Sequence, residues 1–118
     1  KDGEIVILKN LQSKYLVNIY KNASFYIFSS YCEVFGFTSL EAMTQKCPVL
    51  ISSKSALPEI NGNAALYFDP DNEEDIKNSM KKILFDEKLR SNLTHNGIKN
   101  YKKYNWNKTV KDTMKVLI

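Results

Sequence analysis

The feature that most constrains this chain is an alternation in its first 70 residues. Short apolar runs rich in β-branched and aromatic residues take turns with stretches of helical period. Glu4-Ile5-Val6-Ile7-Leu8, Phe25-Tyr26-Ile27-Phe28, Pro48-Val49-Leu50-Ile51 and Ala64-Ala65-Leu66-Tyr67-Phe68 each read as a strand. Runs this short and this uniformly apolar suit strands covered on both faces, as in parallel sheets flanked by helices. After the first run, Ser13 is placed to cap a helix with Leu16, Ile19 and Tyr20 on one side. A second helix is expected over 36–45. Pro48 opens the third strand, where its missing N–H costs least. Strand and helix alternating through short links predict an α/β fold of Rossmann-like type, with right-handed crossovers.

The remainder reads as helical. Asp71 followed by Glu74 resembles a capping box behind the Asp69-Pro70 turn, and Ile76, Met80, Ile83 and Leu84 then recur at helical spacing. One or two helical pieces are expected over 86–104, around Leu89, Leu93 and Ile98. Asn105 is placed to cap a last helix that carries Trp106, Val110, Met114 and Leu117. These stripes are expected to pack into the core.

A chain of 118 residues supports one domain with one core. Its longest apolar runs are too short to span a bilayer. The formal charge is +4, and every basic residue except Arg90 is lysine. The lysines are scattered. The densest cluster, Lys99, Lys102 and Lys103 beside Tyr101 and Tyr104, reads as a solvated helix face, and no nucleic-acid-binding motif accompanies it. Nucleic acid is therefore not an expected partner. Cys32 and Cys47 do not make a disulfide framework, and the lone His95 reads as a surface residue, so no metal site is expected. The start has neither a signal peptide nor an initiator Met, so a piece of a longer, cytoplasmic protein is expected.

The chemistry concentrates in 29–43, which follows a strand and opens a helix. In open parallel sheets, ligands bind beyond the carboxyl ends of the strands. The free N–H groups and dipole of a helix start favour an anion such as phosphate. Phe35, Gly36, Phe37 and Thr38 lie at that start, and Gly36 lets a ligand approach the backbone. Glu33 stands just before the helix and is expected to face the same crevice. Glu41 lies one turn after Phe37, on what is expected to be a half-buried side. A carboxylate there needs hydrogen-bond donors. Sugar hydroxyls would serve, as would a lysine or a neighbouring backbone.

These residues resemble a known family. Glu33-Val34-Phe35-Gly36-Phe37-Thr38-Ser39-Leu40-Glu41-Ala42-Met43 is similar to the E-G-F-G-L-x-x-x-E-A-M motif of group 1 glycosyltransferases, the retaining class with the GT-B fold. Ala23 to Ser30 is similar to the strand that leads into that motif, and Cys47-Pro48-Val49-Leu50-Ile51-Ser52 to the next strand. Leu57-Pro58-Glu59, Gly62 to Pro70, and Tyr104-Asn105-Trp106-Asn107-Lys108-Thr109 resemble further segments in the family's order. Ser29 departs from a frequent Pro, and Lys46 from a frequent helix-ending Gly.

The resemblance implies the second half of a GT-B C-terminal, nucleotide-sugar-binding domain, without the N-terminal acceptor domain. It implies transfer of a sugar from a nucleotide-diphosphate donor to a glycan or lipid-linked acceptor with retention, and no bound metal or cofactor. Glu33 is then the catalytic-site residue at the donor sugar's hydroxyls, and Glu41 binds the ribose hydroxyls. Phe35, Gly36 and Phe37 hold sugar and diphosphate, with Thr38 at the phosphate. The chain near Leu8, Lys9 and Asn10 is expected beside the base. The isolated chain is expected to be inactive and to self-associate through its uncovered side, and any membrane attachment comes from the missing N-terminal region. Polysaccharide or lipopolysaccharide synthesis is the expected setting. Alternatives are a non-catalytic sugar-nucleotide or protein-binding module on the same fold, and a phosphorylase or epimerase of that fold.

Overall fold

A computed structural model describes residues 3–118. Three parallel strands lie side by side in the order β1 (Tyr26–Phe28), β2 (Val49–Ser52), β3 (Ala65–Phe68). The register sets Ile27 against Leu50 and Leu50 against Leu66. Helix α1 (Ser13–Asn22) precedes the sheet, and α2 (Phe37–Thr44) crosses from β1 to β2. A short helix α3 (Leu57–Asn61) and a 3-10 turn (Gly62–Ala64) connect β2 to β3. Helices α4 (Glu73–Phe85), α5 (Glu87–Tyr101) and α6 (Trp106–Leu117) follow. The α/β reading therefore holds, with α3 an addition that its five residues were too few to reveal by period.

Strand alternation divides the core. On one face Val49 and Ile51 of β2 meet Tyr20 of α1, Leu40 and Met43 of α2, and Leu57 and Ile60 of α3. On the other, Leu50 and Phe68 meet Ile83 of α4 and Leu93 of α5. Both faces are covered, so β2 is buried at every residue, which explains its uninterrupted apolar sequence. Helix α5 closes one flank of the domain. Gly97 lets it approach Met43 closely, since a Cβ there would lie 3.0 Å from the Met43 Cγ. The buried Asn100 donates to the Ile60 carbonyl at 3.0 Å, and the Tyr104 hydroxyl donates to the same oxygen at 3.1 Å. His95 is exposed, as expected.

Four local expectations are corrected. Glu4-Ile5-Val6-Ile7-Leu8 is not a strand: it forms no ladder and lies exposed, Ile5 at 88%. Apolar residues make a strand only where a neighbour supplies hydrogen bonds and a layer covers the side chains. Ser13 is the first helical residue of α1, and Gln12 takes the cap position without a side-chain bond. Asn72, not Asp71, caps α4, accepting from the Asp75 N–H at 3.1 Å. The Asp71 carboxylate is held by Lys54 instead, at 3.2 Å. The stripe on α6 does not enter the core: no residue of that helix is buried, and Trp106 is 78% exposed. Its capping residue is Asn105 as read, whose side chain accepts from the Lys108 N–H at 2.8 Å.

The departure at Lys46 has a visible consequence. Helix α2 ends with the Cys47 N–H donating to the Ala42 carbonyl and the Lys46 N–H to the Met43 carbonyl, both at 3.0 Å. That is the Schellman arrangement, which requires a left-handed residue at Lys46, found at φ 61°. A side chain there is strained by about 1–2 kcal/mol, partly offset by the lower unfolded-state entropy of a non-glycine residue. Lys46→Gly is expected to stabilise the protein by about 0.5–1 kcal/mol, read as a higher urea midpoint at unchanged m-value.

Candidate functional site

The site lies where β1 ends and α2 begins. The loop between them turns at Gly36, which adopts φ 77°, ψ 51° and takes the cap position of α2. The left-handed conformation is one reason for glycine here. The second corrects the expectation of open space for a ligand: a Cβ at Gly36 would sit 2.7 Å from the Leu57 Cδ2. Glycine thus lets the motif loop seat directly on α3. The Ser39 hydroxyl donates to the Gly36 carbonyl at 2.9 Å and fixes the turn from inside.

This geometry leaves the start of α2 open. The first N–H groups of a helix have no intrahelical partner. No side chain caps α2, and no acidic residue stands in its first turn. Phe37 is 61% exposed, and its ring lies 4.5 Å from that of Phe35 between centroids. Phe35 in turn meets the Tyr104 ring edge-on at 5.4 Å. With Asn105, Trp106 and Thr109 these aromatics line a recess of about 240 Å³.

Along the chain Glu33 precedes this start and Glu41 follows it. Glu33 is half-buried in the loop, and its backbone is clamped by Ser55. The Ser55 hydroxyl donates to the Glu33 carbonyl at 2.7 Å and accepts from the Glu33 N–H at 3.2 Å. Ser55 itself is left-handed, at φ 59°. Glu41 is exposed rather than half-buried, on the rim of a groove of about 160 Å³ between α1 and α2 with Leu16, Val17, Tyr20 and Thr44. Among the described residues neither glutamate forms an ion pair. The lysine pairing left open for Glu41 is therefore not what occupies it.

Thr38, singled out in the sequence, has a hydroxyl partner that sequence reasoning missed. The Tyr26 hydroxyl donates to the Thr38 Oγ1 at 2.9 Å. Burial pushes the Tyr26 phenol above its ordinary range, with Glu41 and Glu33 adding to the effect against the Thr38 hydrogen bond. The field of Glu41 also reaches Tyr20, whose phenol is pushed up to about 12, chiefly by burial and then by Tyr26 and Glu41. Tyr26 and Ser55 gave no sequence signal because one sits in an apolar strand and the other in a serine-rich loop. Lys54, next to Ser55, is engaged by Asp69 at 3.3 Å and by Asp71 at 3.2 Å, so its ammonium is committed to holding the turn before α4.

The start of α2 is uncapped, and Glu33 and Glu41 flank it along the chain as in the motif. The sequence profile of the family described as glycosyl transferases group 1 matches residues 2–100. The chain belongs to this family. It is 30% identical over 114 residues to an O-antigen chain mannosyltransferase B of Escherichia coli, covering 97% of this chain and 30% of that protein. It is 32% identical over 119 residues to an uncharacterized glycosyltransferase of Methanocaldococcus jannaschii, covering 96% and 30%. The chain thus spans about 30% of the length of these relatives. Its fold matches that of a sucrose-phosphate synthase from Thermosynechococcus elongatus with a TM-score of 0.81 at 24% identity, over 93% of this chain and 28% of that one. That match shows the sheet and helices to have a Rossmann-like α/β fold. Among the described residues of this glycosyltransferase chain, no helix is long and apolar enough to cross a membrane.

Two outcomes are expected. Gly36→Ala meets both the left-handed backbone and Leu57, so it should cost about 1–3 kcal/mol, measured by urea unfolding. Alkali should also unfold the protein through its tyrosines. Tyr20 and Tyr67, both pushed up to about 12, stay neutral in the folded state after the unfolded chain begins to ionise near 10.0. Their stabilisation is complete below the unfolded value and lost as pH rises towards 12. Tyr20→Phe should flatten that decline in denaturant midpoints taken across this interval.

Proposed function

We propose that this chain forms the donor half of a glycosyltransferase site, taking a nucleotide-diphosphate sugar at the start of α2. The observation that carries this reading is the uncapped, acid-free first turn of α2, which Glu33 precedes and Glu41 follows along the chain. The diphosphate sits at the free N–H groups near Gly36, Phe37 and Thr38, where the helix dipole favours negative charge. Glu41 accepts hydrogen bonds from the ribose hydroxyls. Glu33, held by Ser55, accepts from hydroxyls of the sugar and orients it as its anomeric carbon gains positive character.

The chemistry is the breaking of the bond between the sugar and the diphosphate. Charge grows on the leaving phosphate, and donors already aimed at it stabilise that charge without reorganisation. The two carboxylates act on different parts of the donor, so they are not an acid and nucleophile pair. Retention at the anomeric carbon is part of the same proposal, as is a glycan or lipid-linked acceptor recognised by chain outside these residues. The mannosyltransferase relative supports a role in building polysaccharide such as O-antigen.

Calorimetric titration with a panel of UDP-, GDP- and ADP-sugars tests the reading. Donor binding should fall roughly tenfold or more in Glu41→Ala, as expected for lost hydrogen bonds to a charged group. Glu33→Gln should weaken the sugar nucleotide while leaving the free nucleoside diphosphate unchanged. Undiminished donor affinity in Glu41→Ala would overturn the assignment.

A further inference from the structure

Hydroxyl groups on helices can close onto a nearby carbonyl. Three do so here. Ser39 donates to the Gly36 carbonyl at 2.9 Å, Thr44 to the Glu41 carbonyl at 2.6 Å, and Thr109 to the Asn105 carbonyl at 3.1 Å. Thr38, the second residue of α2, makes no such bond. Its hydrogen bond is to Tyr26, across 12 positions of sequence, and in it Thr38 is the acceptor.

The direction follows from acidity. A phenolic O–H is a much stronger acid than an alkyl hydroxyl, so the phenol donates and the threonine oxygen accepts. Burial and the nearby carboxylates keep the Tyr26 phenol protonated, which preserves it as a donor. The ring cannot easily turn away. It packs edge-on against Tyr20 at 5.4 Å and stacks with Phe28 at 6.1 Å. Threonine has one proton to give. With its oxygen already serving as acceptor to Tyr26, that proton is left for another acceptor, and Thr38 stands in the uncapped first turn of α2.

We propose that Tyr26 is a positioning residue for phosphate recognition: by donating to Thr38 it orients the Thr38 hydroxyl as a donor to the diphosphate. The proposal rests on the donor-site reading above. It assigns Tyr26 no contact with the ligand. Its effect passes entirely through Thr38, as pre-orientation of the hydroxyl and polarisation of its O–H, since hydrogen bonds in a chain strengthen one another.

The test is a double-mutant cycle on the chain, titrated with whichever of UDP, GDP or ADP binds the unmodified protein best. Thr38→Val should weaken binding roughly tenfold, the scale of a hydrogen bond to a charged group. Tyr26→Phe, which keeps the ring and its packing, should weaken it about two- to fivefold, because it removes only a supporting bond. The deciding measurement is Tyr26→Phe in the Thr38→Val background, where no further loss is expected. Equal loss of affinity in both backgrounds would mean that Tyr26 acts through packing, and would overturn the proposal. So would an unchanged affinity in Tyr26→Phe alone, with the donor-site reading left standing. If the unmodified protein binds no nucleotide while melting cooperatively, the donor-site reading fails and the proposal falls with it.

Discussion

The burial of β2 on both faces is the constraint on which the rest of this structure depends. Val49, Leu50 and Ile51 are all without solvent exposure, and the strand is paired with β1 on one side and β3 on the other. A parallel strand so placed needs helices on both sides and crossovers to bring them there. Helices α2 and α3 answer that need on one face, α4 and α5 on the other. The ends of the parallel strands then open at one edge of the sheet, which is where the motif loop lies. The position of the site thus follows from the packing of a strand that takes no part in it.

Around that frame, small groups do the aligning. Gly36 is glycine for backbone reasons and because Leu57 occupies the space a side chain would need. Ser55 holds both backbone groups of Glu33, in a left-handed conformation that costs energy and is kept by those bonds. Lys54 ties the same stretch to Asp69 and Asp71 ahead of α4. The loop that carries Glu33 is therefore fastened through its main chain, and among the described residues the carboxylate has no ionic partner of its own. Such an arrangement keeps a charged group available, because the structure around it is satisfied by other bonds.

Several features of this kind were legible in the linear pattern. The three strands β1, β2 and β3 were readable as short apolar runs, of which only β2 is buried at every residue. Gly36 and the helix behind it were readable from the change of period, and Asn105 from its place before a new apolar stripe. The resemblance of 33–43 to a family motif named Glu33 and Glu41, which spacing alone left ambiguous between a ligand and a lysine. Where the pattern misled, the partner was the missing information. Residues 4–8 have a strand's composition and no ladder, and α6 has a core helix's stripe and no buried residue. Apolarity states that a surface is worth burying, and nothing about whether another surface is there to bury it.

The sequence by itself determined the α/β class, three of the strands and the family, since each is written in local period or in a motif read along the chain. Only the tertiary structure decided what those residues touch. It set Tyr26 against Thr38, Ser55 against the Glu33 backbone 22 positions away, and Leu57 beneath Gly36. It also took Lys54 out of the count of free cations. The reason is physical. Hydrophobic period is a property of neighbours in sequence, whereas a hydrogen bond is made within about 3 Å by groups of any separation, and only the folded chain says which groups come that close.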